Sequence, residues 1–193
     1  MREFIYFSAR GRTSGNFADL MQAGRLDIAI HVIIATFFLS NKLREDVKLH
    51  LILNGPPDPP KHLEFVSGSD EEMPISKKDV SGLIKRMLYK YKKGQKVKVF
   101  PGCFVEKKSF SQLLDELRSE GKKIYLLDKK GKDIREVELA ENAVFVLGDH
   151  EGLPKQELRA AERLAEKVNV GPETYFTSQV VVLIQNELDR KGI

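Results

Sequence analysis

One stretch decides the fold of this chain: VFVLGDHEGLP, residues 144–154. Its first four residues are apolar, which is typical of a strand that is buried on both faces. Two glycines enclose the residues that follow, and Pro154 then suits the first turn of a helix, where its missing N–H needs no partner. Residues 155–167 carry apolar side chains at helical spacing. The stretch is therefore predicted to form a strand, a glycine turn and a helix.

The glycine turn is a candidate ligand site. Ligands of open α/β sheets bind where the carboxyl ends of strands lead into such turns. Gly148 and Gly152 would let the backbone approach a ligand closely or adopt a positive φ. A tight turn without a ligand explains the same residues equally well.

Two more stretches resemble ligand loops at strand ends. Residues 169–179 combine a strand end, the turn Gly171-Pro172 and a helix start, where Thr177 and Ser178 could cap the helix. The free N–H groups of that helix could receive an adenine edge or a carboxylate, although simple capping is the alternative. The strand end at 126–128 is the third candidate. Three such loops at one sheet edge would form a cofactor pocket.

The rest of the chain alternates between strands and helices. Strands are predicted at 3–9, 48–53, 62–66 (on an edge or in a hairpin), 96–100, 123–127, 134–139, 144–147 and 166–170, and helices at 26–39, 76–91, 109–120, 155–167 and 177–190. Residues 10–16 are expected to form a flexible basic loop, 54–60 a proline-rich loop, 69–72 an acidic loop and 128–131 a hairpin turn. The pattern predicts one α/β domain over residues 1–193, with a mostly parallel sheet and helices on both faces.

Composition limits the kind of protein. The chain has 193 residues, a net charge of +4, 41% apolar and 31% charged residues, as expected of one globular domain that could meet nucleic acid. The single cysteine, Cys103, forms no intrachain disulfide, which favours a reducing, cytoplasmic setting. The longest apolar run, 28–39, is too short to span a bilayer, so no membrane association is expected. No metal site is expected from the His and Cys spacing, and no Walker or Gly-x-Gly-x-x-Gly pattern is present.

Several of these stretches resemble a known family. VLGDHEGLP followed by VNVGPETYFTSQVVVLIQNELDR resembles the SPOUT class of knotted RNA methyltransferases that use S-adenosylmethionine. Within that class, FSARGRTSGNFADLMQAGRLD resembles the archaeal tRNA pseudouridine-54 N1-methyltransferases, often called TrmY. The likeness runs nearly end to end. One departure is Val180, where members of the family often carry cysteine.

The resemblance implies more than the residues do alone. It implies a C-terminal trefoil knot, a homodimer, S-adenosyl-L-methionine as cofactor and tRNA as partner. By family position, the cofactor pocket would be lined by Leu126, Leu127, Gly148, Gly152, Leu153, Phe176, Thr177, Ser178 and Val180.

The chemistry of such a reaction indicates further candidates. N1 of pseudouridine bears a proton, which a nearby carboxylate could accept during methyl transfer. Asp19 and Asp27 flank the AGR stretch and either could serve, although Asp27 could simply neutralise a helix N-terminus and Asp19 could be a solvated loop acid. Arg10, Arg12 and Arg25 are candidates for binding RNA phosphates, with a solvated basic face as the alternative.

The sequence leaves two other functions open. One is N1-methylation of a pseudouridine in ribosomal RNA. The other is RNA binding by a protein that kept the fold and lost the cofactor, which the complete glycine turn argues against.

Overall fold

The structure, a computed structural model, describes residues 1–68 and 73–193. Its strands are β1 (Arg2–Ser8), β2 (Val47–Leu53), β3 (Lys61–Val66), β4 (Val97–Phe100), β5 (Cys103–Glu106), β6 (Lys123–Asp133), β7 (Ala143–Leu147) and β8 (Glu166–Asn169). Its helices are α1 (Leu26–Phe37), α2 (Val80–Lys90), α3 (Phe110–Ser119), α4 (Lys155–Glu162) and α5 (Thr177–Lys191), with a short 3₁₀ helix at Ile134–Glu136.

The eight strands form one sheet in the order β4-β5-β3-β2-β1-β7-β6-β8. Each pair of neighbours in the row β2-β1-β7-β6-β8 is parallel. On the other side of β2, the strands β3, β5 and β4 pair in antiparallel fashion. The parallel half confirms the predicted α/β class. Because parallel strands end at the same edge, the turns after β1, β7, β6 and β8 come together there.

Helices cover both faces of the sheet, as predicted. Side chains of β1 alternate between the faces, with Phe4 and Tyr6 packing in the cluster of α1, α2 and α5. Ile5 and Phe7 pack in the opposite cluster, against α3 and α4. Both sets are essentially inaccessible to solvent, which explains why the parallel strands read as continuous apolar runs.

The structure differs from the strand predictions in two places. β3 is not one of them, because it forms a hairpin with β2, one of the two predicted alternatives, and β5 pairs with its other side. The strand β5 was not predicted. Residues 128–131 form no hairpin turn and 134–139 no strand: β6 continues to Asp133 through a register shift beside β8. Gly131 makes this possible, because an added Cβ would lie 2.4 Å from the backbone nitrogen of Val168.

Smaller differences concern the helices. α2 begins at Val80 rather than Ser76, since residues 77–79 form a turn and Asp79 occupies the N-cap position. α4 stops at Glu162, five residues before the predicted end. α3 begins as predicted, and it is capped by reciprocal bonds between Ser109 and Gln112. The acidic loop expected at 69–72 lies outside the described residues. Across 1–68 and 73–193, no helix has the length and apolar character needed to cross a bilayer.

A row of buried ionisable side chains crosses β1, β2, β3 and β5. Glu3 Oε1 lies 2.7 Å from His50 Nε2, His50 Nδ1 lies 2.8 Å from His62 Nε2, and His62 Nδ1 lies 3.0 Å from Glu106 Oε1. The carboxylate of Glu64 lies close to the imidazoles of His50 and His62. The ligand atoms of these three side chains are near enough to one another to hold one metal ion. The sequence did not indicate this cluster, because only strand pairing brings residues 50 and 62 together.

Lysines already neutralise the three carboxylates of this row. Lys122 and Lys48 pair with Glu3, Lys96 with Glu64, and Lys108 with Glu106. Burial opposes ionisation of Glu3, but the hydrogen bond from His50 and the nearby cations outweigh it and lower the pKa of Glu3 to about 2. Burial lowers the pKa of His62 to about 4, so this imidazole is neutral at pH 7.

Glu3→Gln is expected to destabilise the protein by roughly 3 kcal/mol, because it leaves His50 and Lys122 without their buried partner. The lowered pKa makes Glu3 a source of stability above about pH 4.5, which is lost as pH falls toward 2. Urea unfolding at several pH values should therefore separate the two proteins at pH 7 and bring them together in acid. Glu157→Gln on α4 is a control, and equal stabilities of Glu3→Gln and parent at pH 7 would contradict the argument.

Candidate active site

The glycine turn after β7 closes on itself. An added Cβ on Gly148 would lie 2.5 Å from the carbonyl carbon of Gly152 and 2.7 Å from the nitrogen of Leu153. Gly152 has a φ of +78° and would present a Cβ to open space. The two glycines thus have different roles. Gly148 lets the turn close, because any side chain there would collide with the backbone of the turn. Gly152 provides the left-handed backbone conformation, and the space beside it is free.

Asp149 fastens this turn to the end of β1. One carboxylate oxygen accepts the backbone N–H of Ala9 at 3.0 Å, and the other accepts that of Glu151 at 2.9 Å. The residue is 8% exposed, so both oxygens are committed to structure. Arg10 also reaches across to Glu151 at 2.9 Å. These bonds join the glycine turn to the loop that carries the predicted RNA-binding arginines.

The start of α5 contacts the same turn. The Thr177 hydroxyl donates to the carbonyl oxygen of Gly148 at 3.2 Å, so Thr177 does not cap the helix as the sequence suggested. The N-cap residue is Phe176, whose N–H donates to the Gln179 side chain at 3.0 Å. The predicted convergence of the first two loops is therefore present, and Thr177 is the residue that connects them.

A cavity of about 170 Å³ lies where the third loop meets the last one. Leu127, Asn169, Gly171, Tyr175 and Val180 are among its lining residues. Two of the nine predicted cofactor residues, Leu127 and Val180, therefore face one space at the carboxyl edge of β6 and β8. The volume is small for a nucleoside cofactor, since drug-sized ligands occupy roughly 300–1,000 Å³.

The other predicted cofactor residues differ in their surroundings. Leu126 is 1% exposed in the core, so only its backbone is available to a ligand. Leu153 packs against the cluster beneath α3 and α4. Ser178 lines a different groove, and Phe176 is 79% exposed. The nine residues are thus distributed between the core, two different cavities and the exposed surface.

The basic loop at 10–16 is held on two sides, contrary to the expected flexibility. Arg12 N–H donates to the Ala23 carbonyl at 3.0 Å, and Thr13 N–H donates to the Pro56 carbonyl at 3.0 Å. Added Cβ atoms on Gly24 and Gly55 would lie 1.8 Å and 2.2 Å from the Arg10 carbonyl oxygen. The proline-rich loop and the residues before α1 thus fix the loop between them.

Each of the three candidate arginines has a polar partner. Arg10 pairs with Glu151, and Arg12 donates to the Ser14 hydroxyl at 3.2 Å. Arg25 adopts a left-handed backbone (φ 62°) at the N-cap of α1. Its guanidinium donates two bonds of 3.0 Å to the two carboxylate oxygens of Asp27. Arg10 remains 70% exposed at its side chain, which leaves it accessible to an anion.

The two candidate proton acceptors are not equivalent. Asp19 is exposed, and its carboxylate accepts the N–H of Gln22 at 2.8 Å within a turn. Asp27 lies at the start of α1, where the hydrogen bonds from Arg25 lower its pKa. The latter carboxylate is oriented by a bidentate partner, so it is the better positioned of the two.

Tyr6 of β1 is a further buried polar side chain. Its hydroxyl is buried, and within 1–68 and 73–193 it has no hydrogen-bonding partner. Burial, followed by the negative charges of Asp149 and Asp27, raises the pKa of this phenol. Nothing in EFIYFSA distinguishes it from a core aromatic.

The whole chain, residues 1–193, matches the model of a family described as SAM-dependent RNA methyltransferase. The chain belongs to this family. Its methyl donor is accordingly S-adenosylmethionine and its substrate is RNA.

Similar proteins of known name agree with the family. Two are called tRNA (pseudouridine(54)-N(1))-methyltransferase: one from Methanococcoides burtonii, 36% identical over 98% of this chain and 96% of the relative, and one from Pyrococcus abyssi, 36% identical over all of both chains. The fold is similar to the crystal structure of Archaeoglobus fulgidus Nep1 bound to S-adenosylhomocysteine, with a TM-score of 0.65. That match covers 98% of this chain and 97% of the other at 15% identity, so it bears on the SPOUT-type fold alone.

One further feature of this methyltransferase is a wide groove between α1 and α5, with a volume of about 800 Å³. Its lining includes Ile34 of α1, Phe38 directly after α1, and Val182 and Leu183 of α5. The last two are 52% and 36% exposed, and His31 of α1 is exposed on this groove. An apolar surface of this extent is typical of an interaction site.

Proposed function

We propose that this chain methylates N1 of pseudouridine 54 in the T-loop of tRNA, using S-adenosylmethionine. The observation that carries the proposal is the full-length similarity to relatives named for that reaction, at 36% identity. Two structural features support it. The glycine turn and the start of α5 are bonded at the carboxyl edge of the sheet, and the loop with Arg10 and Arg12 is tied to the same turn. We further propose that the protein acts in the cytoplasm, where tRNA is available.

Two features support a cofactor site at this edge. Open space beside Gly152 and the cavity between Leu127 and Val180 lie at the end of parallel strands, where nucleosides usually bind. We infer that the nine residues named by family position surround the cofactor, with Leu126 contributing its backbone. When bound, S-adenosylmethionine supplies an activated methyl group. The residues of the chain would orient the base against it and exclude water.

Proton removal from the base is the step that falls to the protein. We propose that Asp27 accepts the N1 proton and that Arg25 fixes the orientation of its carboxylate through two hydrogen bonds. The exposed Arg10, with Arg12 beside it, would bind RNA phosphates. Asp19 is then a turn residue.

We also propose that the active enzyme is a two-fold homodimer with a C-terminal trefoil knot. A second copy would cover the apolar groove of α1 and α5, whose exposed Val182 and Leu183 need a partner surface. The incomplete cofactor cavity supports the same idea, because Ser178 lines that groove and would bring the partner close to the cofactor. The bond between Thr177 and Gly148 is compatible with a chain threaded through the loops before it.

The double substitution Val182→Glu, Leu183→Glu is expected to convert a dimer into a folded monomer, because both side chains are accessible in the single subunit. Sedimentation at micromolar concentration measures this directly. Ser119→Glu on the opposite face is the control and should leave the dimer intact. A parent protein that sediments as a monomer would overturn the dimer proposal.

The function itself is tested by incubating the purified protein and S-adenosylmethionine with tRNA and, separately, with ribosomal RNA that contain pseudouridine. Mass analysis of the digested nucleosides should find N1-methylpseudouridine from tRNA only. Methylation restricted to ribosomal RNA would favour the first alternative function. Absence of cofactor binding in calorimetry would favour the second, a non-catalytic RNA-binding protein.

A further inference from the structure

The basic charge of the chain is concentrated in one segment, residues 73–98. Residues 73–98 contain nine Lys or Arg side chains and one acid, Asp79. The whole chain contains 32 basic and 28 acidic side chains, so the remaining residues contain 23 basic and 27 acidic ones, a net charge of −4. The modest overall charge therefore conceals a strongly basic segment on an otherwise acidic protein. Such asymmetry is the electrostatic footprint of a polyanion partner.

The segment presents its charges to solvent. It consists of α2, the turn after it and β4, at the edge of the sheet opposite to β8. Lys90, Lys92 and Lys93 are exposed, and within residues 1–68 and 73–193 no carboxylate lies within ion-pair distance of them. Beside them, the aromatic ring of Tyr89 is 66% exposed.

This basic surface adjoins the candidate active site. The ring of Tyr89 lies against Gly15, where an added Cβ would be 2.6 Å from it, and the Lys85 ammonium stands 4.7 Å from the centre of the Phe17 ring. Gly15 belongs to the same loop as Arg10 and Arg12. The C-terminal half of α2, which carries Lys85 and Tyr89, thus contacts the arginine loop, and Lys90 follows Tyr89 directly in the sequence.

From this arrangement we propose that the end of α2, defined by Lys90, Lys92 and Lys93, binds the phosphate backbone of the tRNA outside the methylated loop. The inference rests on the proposed function and extends it. The three ammonium groups would track phosphates of the helical arm and add affinity without reading sequence. A target base at the carboxyl edge of the sheet would leave the adjoining RNA running along this surface.

The test is the triple variant Lys90→Gln, Lys92→Gln, Lys93→Gln. Its matched control is Arg118→Gln, Arg159→Gln, Arg163→Gln, which removes three exposed charges from α3, α4 and the residue after α4, on the other face. Binding of full-length tRNA is measured for both and for the parent at several salt concentrations. The lysine variant should bind roughly ten- to a hundredfold more weakly at about 0.1 M salt, with a salt slope smaller by about two units. The control should match the parent.

Three further measurements keep the outcomes distinct. Thermal unfolding identifies any structural cost, because cations near a helix C-terminus also favour the helix dipole. S-adenosylmethionine affinity and the single-turnover rate at saturating tRNA should be unchanged in the lysine variant, so that only the half-saturating tRNA concentration rises. Equal tRNA binding by the lysine variant and the control overturns this inference while leaving the proposed function intact. A parent that does not methylate tRNA overturns the proposed function.

Discussion

Gly148→Val is expected to weaken binding of S-adenosylmethionine by roughly 10- to 100-fold and to lower the stability of the protein. Even the first atom of the new side chain would lie 2.5 Å from the backbone of Gly152, so the turn between β7 and α4 must open. Overpacking of this kind costs about 1–3 kcal/mol. If the cofactor binds only to the closed turn, this cost corresponds to a loss of roughly 10- to 100-fold in cofactor affinity. Calorimetric titration and urea unfolding measure the two effects.

Two glycines with the same backbone strain provide the controls. Gly152 and Gly121 have φ values of +78° and +75°, and an added Cβ on either would meet no atom within 4 Å. Alanine at each should cost about 1–2 kcal/mol of stability. Only Gly152→Ala should also weaken the cofactor, because the open space beside Gly152 is part of the proposed pocket. If Gly148→Val retained the parental affinity and stability, the glycine turn would not be the cofactor site.

Asp27→Asn is expected to slow methyl transfer by about 100- to 10,000-fold while RNA and cofactor still bind, because the amide cannot accept the N1 proton. Since Arg25 lowers the pKa of Asp27, the parental carboxylate stays ionised throughout the neutral range and fails only in strong acid. The Asp27→Asn rate should partly recover at high pH, where the imino proton is lost without help. Single-turnover rates across pH give the profile.

Asp19→Asn is the comparison, because Asp19 is exposed and its carboxylate only closes a turn through Gln22. This variant should retain the parental rate and pH profile. If both carboxamide variants do so, no carboxylate of this segment is the base, and alignment of the two reactants must account for the rate.

Local sequence determined much of the fold. The apolar run at 144–147, the cap at Ser109 and the glycine after α3 specify elements through interactions a few residues apart, and these elements are present. Local sequence also determined the general position of the candidate site. The turns at 148–154 and 170–176 follow parallel strands, so their meeting at one edge could be predicted from the alternation of elements alone.

Tertiary structure decided what depends on contacts between distant parts of the chain. The bulge in β6 exists because Gly131 packs on β8, and the Thr177 hydroxyl leaves its helix because the Gly148 carbonyl is within reach. Asp27 differs from Asp19 through its two hydrogen bonds from Arg25, which fix the direction of its carboxylate, whereas Asp19 is exposed in a turn. The row from Glu3 to Glu106 requires four paired strands. Such features depend on strand register and packing, which no local pattern of residues encodes.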